Sequence, residues 1–188
     1  DFDYTDYVQD DDTHEPPTGS RPQEEIPFSM GISFAEYLKS QVYLTDMDKP
    51  DRHIAKFVVG NIDDDGYLRR TVEELVDDLC FREGLEVSDE KMREIVEKVK
   101  QFEPVGVGAY DLRECLLIQL KQKTMTVSVE HALTILQEYY DAFSRHQSGK
   151  ICQRMMITEE EFKEAANEIL HLNPRPGSAW AGTVVDRN

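Results

Sequence analysis

The chain has 188 residues, and its 38 Asp and Glu against 21 Lys and Arg give a formal net charge of −17 at pH 7. Such an acidic chain lacks clustered cations, which argues against nucleic-acid binding driven by phosphate contacts. No apolar run approaches the ~18 residues of a membrane-spanning helix. We therefore expect a cytoplasmic protein, without a membrane role, whose partner is another protein.

The three cysteines, Cys80, Cys115 and Cys152, are widely spaced along the chain. None forms the closely spaced pair that is typical of zinc sites, so we expect neither a structural metal nor a disulfide framework. All three lie in apolar helical patterns. This predicts three buried thiols in a reducing compartment.

Residues 1–25 contain nine acidic residues against Arg21, a net charge of −8. Because the segment has few aliphatic side chains, it cannot bury enough surface to offset the entropy lost on ordering. We predict a disordered acidic linker. The alternative is that Phe2, Tyr4 and Tyr7 help it to mimic nucleic acid or to dock on a basic surface.

From residue 26 onward, helix start signals are followed by apolar residues at helical spacing, and no stretch alternates as a strand would. Caps are predicted at Ser33, Asp51, Thr71, Ser88, Asp111, Ser128 and Thr158. We expect one helix from Ser128 to about Gly149. The pattern predicts an all-α fold, a helical bundle of about seven to eight helices. The polar gap at residues 121–126 divides it into two subdomains, residues 26–122 and 127–188.

The sequence Asn-Ile-Asp-Asp-Asp-Gly at residues 61–66 has the spacing of the start of a calcium-binding loop. The twelfth position, which should supply a bidentate glutamate, is Val72, and Glu73 comes one residue too late. We therefore favour a tight turn in which the glycine takes a positive φ and aspartates bind backbone amides. The residues to which we assign this structural role are Asn61, Asp63, Asp65 and Gly66.

Glu168 and His171 have the Glu-x-x-His spacing of di-iron bundles, but such sites require two of these pairs and further glutamates. The chain also contains no nucleophile motif and no glycine loop of the phosphate-binding type. The sequence therefore predicts no catalytic residue, no metal ligand and no cofactor.

Two segments combine prolines and glycines directly after a helix: Phe102–Ala109 and Leu172–Gly177. Each dictates a stiff backbone path, which favours a connector that sets helix packing. Exposed rigid loops also make good docking surfaces, because little entropy is lost when they bind. The residues that we expect to fix these paths are Pro104, Gly106, Gly108, Asp111, Asn173, Pro174, Pro176 and Gly177.

Three stretches, in this order, resemble signature sequences of the core-binding region of the sigma-54 family: Asn61–Leu68, Phe102–Leu116 and Leu172–Gly177. The resemblance covers residues 28–180, and residues 1–25 look like the variable acidic region that precedes this domain in the family. One departure is Tyr110, where the family pattern usually has Arg.

The resemblance implies an α-helical domain that binds core RNA polymerase, chiefly through its β and β′ subunits. In the full-length factor an ATP-driven transcriptional activator would remodel the complex and would supply the ATPase. Promoter DNA would be contacted only through regions that we do not find in this sequence. We therefore expect a part of a longer protein that does not recognise promoters alone.

The candidate polymerase-binding residues are side chains of the two stiff loops and the cations beside them: Glu103, Val105, Val107, Tyr110, Arg113 and Arg175. The main alternative is a DNA-binding regulator in which Thr158–Leu172 is the second helix of a helix-turn-helix. A recognition helix requires exposed Arg, Lys, Asn or Gln, whereas this one carries five glutamates against Lys163 and Asn167. A calcium- or metal-binding helical protein is the other alternative.

Overall fold

The computed structural model describes residues 31–178 and Trp180. Their helices are α1 Phe34–Leu44, α2 Lys49–Gly60, α3 Val72–Glu83, α4 Asp89–Val99, α5 Leu112–Lys121, α6 Val127–Glu138, α7 Tyr140–Ser144, α8 Ser148–Met155 and α9 Glu159–Leu170. A further helical turn begins at Pro176. Within the described residues no β-strand forms, and the all-α prediction is confirmed. The predicted disorder of residues 1–25 lies outside the described part of the chain.

The chain forms two compact units. The first unit contains α1–α5 in residues 32–122, together with residues 173–178 and Trp180. The second unit contains α6–α9 in residues 123–172. The second unit begins at residue 123, and the segment after α9 belongs to the first unit. That the units are separate subdomains stays a prediction.

Local hydrogen bonds explain where most helices begin. Ser33 and Thr158 form complete capping boxes, in which the side chain of each accepts from the N–H of the third helical residue and the Glu there accepts in return. Thr71, Ser88 and Asp111 accept the same backbone bond from their helices. These five predicted helix starts are confirmed, since each satisfies an amide that the helix itself leaves unpaired.

The predicted cap of α2 is wrong. Asp48 caps this helix, and its Oδ1 accepts a hydrogen bond of 3.0 Å from the N–H of Asp51. Asp51 lies inside the first turn, is 8 % exposed, and binds the Lys91 ammonium of α4 at 3.3 Å. Asp48 and Asp51 lie three residues apart, and either fits the sequence pattern of a helix cap. The side chain of Asp51 instead pairs with Lys91, which is 40 positions away in the chain.

The single helix expected from Ser128 to about Gly149 is also wrong. Thr126 is the cap of α6, and the chain then breaks twice to give α6, α7 and α8. The second break includes His146, whose φ of 59° is left-handed. α8 begins at Ser148 without a side-chain cap, which explains why no start signal for this helix is found in the sequence.

The core of the first unit forms where α2 packs on α1 and α4, and α3 packs on α4. Its fully buried side chains include Leu38, Val42, Val58, Leu75, Leu79, Met92, Ile95 and Val99. In the second unit α6 packs on α9, and Phe143 meets Phe162 edge-on with ring centroids 6.3 Å apart. Each such buried side chain contributes roughly 1.5–3 kcal/mol through removal from water.

The three thiols do not share one environment. Cys115 is buried and Cys152 is partly buried, but Cys80 is exposed, so the prediction of three buried thiols is wrong. Leu79 takes the core position of α3, and the next residue is rotated about 100° away from it.

None of the helices built from the described residues is long and apolar enough to cross a membrane.

Candidate functional site

The backbone of the aspartate-rich turn at residues 61–66 is stabilised by the side chain of Asp63. Asp63 Oδ1 accepts hydrogen bonds from the N–H groups of Asp65 and Tyr67, at 3.0 and 2.9 Å. Gly66 has a φ of 98°, in the left-handed region. The predicted turn is confirmed. Among the described residues, no group of three or more His, Cys, Asp and Glu is arranged to hold a metal ion.

The second of the three family stretches, which begins at Phe102, lies directly against this turn. The N–H of Gly108 donates to the Gly66 carbonyl at 2.8 Å, and the N–H of Leu68 donates to the Ala109 carbonyl at 2.9 Å. Gly106 and Gly108 have φ values of 100° and 83°, both in the left-handed region, and the Glu103–Pro104 peptide is cis. Two main-chain bonds therefore join stretches that are about 40 residues apart.

The third family stretch follows α9 in the chain and also contacts the aspartate-rich turn. The N–H of Gly177 donates to the Asp65 carbonyl at 3.0 Å, and the Ser178 hydroxyl donates to Asp65 Oδ1 at 3.0 Å. The Tyr67 hydroxyl donates to the Pro174 carbonyl. We call residues 61–68, 102–111 and 173–178 the loop junction. Within the first unit, it contains the whole of the first family stretch, residues 102–111 of the second and residues 173–177 of the third.

Two glutamines of the first unit clamp the loop junction through its main chain. The Gln41 amide accepts from the N–H of Glu103 at 2.7 Å and donates to the Glu103 carbonyl at 2.6 Å. The Gln119 amide forms the same pair with Asn173, at 2.8 and 2.7 Å. Each pair mimics a main-chain ladder, and each satisfies two polar groups of a loop residue at once.

Burial affects two titratable groups here, the Tyr67 hydroxyl of the loop junction and the adjoining Cys115 thiol of α5. Burial raises the pKa of the Cys115 thiol to about 11 and also raises the pKa of the Tyr67 hydroxyl. Both groups are therefore neutral near pH 7, and the tyrosine serves as a hydrogen-bond donor. A thiol that stays protonated is a poor nucleophile. The arrangement of these groups fixes the backbone path of the loop junction.

The Lys100 ammonium forms ion pairs with one glutamate of α4 and one of α5. Lys100 Nζ lies 2.9 Å from Glu114 Oε1 and 3.2 Å from Glu97 Oε1. Burial alone would lower the pKa of Lys100, but its hydrogen bonds to Glu114 and Glu97 raise it. The same Glu114 oxygen accepts from the N–H of Tyr110 at 3.3 Å, so the network also fixes the end of the second stretch.

The structure places five of the six candidate polymerase-binding residues in the loop junction and Arg113 in the first turn of α5, and their side chains differ in burial. Glu103, Tyr110 and Arg175 are exposed, and Val105 and Arg113 are partly buried. Val107 is fully buried in the core of the first unit, so its side chain offers no surface to a partner. The exposed Glu103 carboxylate accepts from the Tyr37 hydroxyl at 3.1 Å.

Sequence reasoning missed Gln41, Gln119 and Trp180. The two glutamines lie inside helices and resemble ordinary surface residues, and only their long-range partners reveal them. The Trp180 ring stacks on Tyr37, with ring centroids 5.3 Å apart. No local pattern identifies such residues, because their role depends on segments that are distant in sequence.

In the second unit, both residues of the Glu-x-x-His pair contact other protein groups. The Glu168 carboxylate binds Lys123 Nζ at 3.0 Å and the Ser128 hydroxyl at 3.1 Å. His171 Nδ1 is 2.7 Å from the Asn167 carbonyl. The exposed residues of α9 include Glu159, Glu160 and Glu164. Such a helix repels phosphate, which disfavours its use as a DNA recognition helix.

The family model for the sigma-54 factor core binding domain matches residues 27–187. The chain belongs to the sigma-54 factor family. The resemblance seen in the three stretches of the loop junction is thereby confirmed, and the chain's place is in the core-binding domain of that family. Sigma-54 factors are transcription initiation factors rather than enzymes.

Curated relatives extend the match over most of the chain. It is similar to the RNA polymerase sigma-54 factor of Salmonella typhimurium (strain LT2), with 35 % identity over 167 residues, 87 % of this chain and 34 % of the relative. The factor of Pseudomonas aeruginosa is 34 % identical over 80 % of this chain and 30 % of its own length. For Escherichia coli (strain K12) the values are 32 %, 86 % and 34 %. The chain thus spans about a third of the length of these sigma-54 factors.

Proposed function

We propose that this chain is the domain with which a sigma-54 transcription initiation factor docks on core RNA polymerase for activator-dependent transcription. The observation that carries the proposal is the match of the core binding domain over residues 27–187. In this proposal the partner is core polymerase, through its β and β′ subunits. An ATP-driven activator acts on the full-length factor, and promoter DNA is bound by other regions of that factor.

The loop junction supports the proposal through its rigidity. Main-chain hydrogen bonds join its three stretches, and Gln41 and Gln119 clamp two of them. A surface whose backbone is already fixed loses little conformational entropy when a partner binds. The residues that we propose for the polymerase contact have accessible side chains and lie in the loop junction or, for Arg113, in the first turn of α5: Glu103, Val105, Tyr110, Arg113 and Arg175.

Retention of purified core polymerase on the immobilised chain tests the proposed function. We expect retention at micromolar concentration and low salt, and weaker retention as salt is raised, because exposed charges are screened. If the folded chain retains no polymerase under these conditions, the proposed function is wrong.

Arg175→Glu tests the proposed contact surface. Arg175 is exposed, and we expect its charge reversal to weaken polymerase binding by roughly tenfold without loss of helical circular dichroism. Arg93→Glu is the matched control, because Arg93 is exposed on α4 of the same unit and outside the loop junction. Equal affinities of the two variants would contradict the assignment of Arg175 but not the docking function.

A further inference from the structure

Phe81 lies on the outer face of α3 with 90 % of its surface exposed. It follows the fully buried Leu79 by two positions, which rotates it about 200° around the helix and away from the core. Phe81 therefore contributes nothing to the packing of the first unit. The neighbouring Cys80 is also exposed, and Leu85, just beyond the end of the helix, is 37 % exposed.

Two carboxylates share this face of α3. Glu73 and Asp77 precede Phe81 by eight and four positions, a spacing that stacks side chains along one side of a helix. Both are exposed, and neither forms an ion pair with another described residue. The outer face thus presents an aromatic ring next to negative charges that are not neutralised locally.

Unlike Glu73 and Asp77, the neighbouring Asp78 carboxylate, on the flank of this face, forms ion pairs. Asp78 binds Arg70 at 3.2 Å and Arg82 at 3.0 Å. Arg70 and Asp78 line an open cleft of about 290 Å³ beside the Phe81 ring, together with Glu74 and Asp77. The arginines order the flank, while Asp77 remains available to an outside cation.

We propose that the outer face of α3, formed by Glu73, Asp77 and Phe81, is a docking surface for an apolar pocket on core RNA polymerase that is rimmed by lysine or arginine. This inference rests on the proposed function and adds the chemistry of one contact. The Phe81 ring would fill the pocket, as aromatic anchors do in the centre of protein interfaces. Asp77 and Glu73 would pair with the cations at its rim, which favours encounter and correct orientation.

Phe81→Ser tests the aromatic anchor. We expect it to weaken binding of core polymerase by about tenfold or more, as loss of an interface anchor does. The matched control is Met156→Ser, because Met156 is also 90 % exposed but lies in the second unit. Neither side chain is buried, so circular dichroism and the thermal midpoint should stay at the wild-type values in both variants.

Asp77→Lys tests the charged part of the surface. We expect slower association with core polymerase and a smaller decrease in the association rate on adding salt, because an attractive charge has been replaced by a repulsive one. The control is Glu164→Lys, which makes the same charge change at an exposed position of α9.

Protection of Cys80 measures the same contact without a substitution. Mass spectrometry follows alkylation of the Cys80 peptide in the free chain and in its complex with polymerase. We expect alkylation to be at least about tenfold slower in the complex, since the thiol adjoins the proposed anchor.

These experiments separate the inference from the function on which it rests. If wild-type chain binds polymerase while Phe81→Ser matches Met156→Ser, the inference is overturned and the docking function stands. An unchanged rate of Cys80 alkylation in a demonstrated complex has the same meaning. If the wild-type chain does not bind polymerase, both proposals are overturned.

Discussion

Gly177 rests directly on the carbonyl group of Asp64. A Cβ atom at residue 177 would lie 2.1 Å from the Asp64 carbonyl oxygen, closer than any non-bonded carbon can approach. The N–H of Gly177 also donates to the next carbonyl, that of Asp65, at 3.0 Å. The absence of a side chain is therefore what lets the segment after α9 join the loop junction.

Gly177→Ala should destabilise the first unit. The added methyl group must displace main chain rather than a flexible side chain, and such overpacking costs about 1–3 kcal/mol. Unfolding in urea, followed through the fluorescence of Trp180, measures the loss. This is the only tryptophan of the sequence, and it stacks on Tyr37 in the same unit.

The control for this prediction is Gly60→Ala at the end of α2. A Cβ atom there meets nothing within 4 Å, and alanine favours the helix. We expect unchanged or slightly higher stability. A Gly177→Ala variant as stable as the wild type would show that the close approach to Asp64 is not maintained in solution.

Gln119→Ala should loosen the attachment of residue 173. The substitution leaves the N–H and C=O of Asn173 without the amide that pairs both of them, at a cost of about 1–3 kcal/mol. Hydrogen exchange of the main-chain N–H of Asn173 should become faster. Gln122→Ala, an exposed position one helical turn away, should leave this exchange unchanged. Equal exchange in the two variants would contradict the clamp.

Glu168→Gln should change how the second unit responds to acid. Hydrogen bonding from Lys123 holds the pKa of Glu168 below its ordinary value of 4.5. A lowered folded-state pKa means that the carboxylate stabilises the fold fully above pH 4.5 and loses this effect as pH falls through the lowered value. The variant should therefore melt below the wild type at neutral pH, and the difference should shrink in acid.

Melting curves from circular dichroism at several pH values measure this difference. Glu164→Gln is the control, because Glu164 is exposed on the same helix and joins no ion pair among the described residues. We expect its melting temperature to follow the wild type at every pH. A gap between Glu168→Gln and wild type that stays constant through the acid range would refute the assigned role.

The three cysteines should react with alkylating agents at different rates. The exposed Cys80 should react first, and Cys115 last, because the latter is buried and its pKa is raised to about 11. Burial also raises the pKa of the partly buried Cys152. Mass spectrometry of timed samples near neutral pH gives the order. After unfolding in denaturant all three should react alike, and rapid modification of Cys115 in the folded chain would contradict its environment.

The sequence correctly predicted the start of a helix at five positions where one local signal stood alone. Ser33, Thr71 and Thr158 each bond to an amide three residues ahead, so a short window contains the whole interaction. It failed at Asp51, because two aspartates satisfied the same local rule. Lys91, on another helix, is the partner of the buried one. It also failed at α8, which begins without a capping side chain.

The sequence by itself determined the helical class, the turn at Gly66 and the family, because the signals for each lie in short stretches of neighbouring residues. Only the tertiary structure decided that the three family stretches meet in one loop junction. The hydrogen bonds that join them, from Gly108 to Gly66 and from Gly177 to Asp65, link segments that no local pattern relates. Side-chain depth was decided in the same way: Val107 is buried and Phe81 is exposed because the packing of whole helices determines which face reaches water.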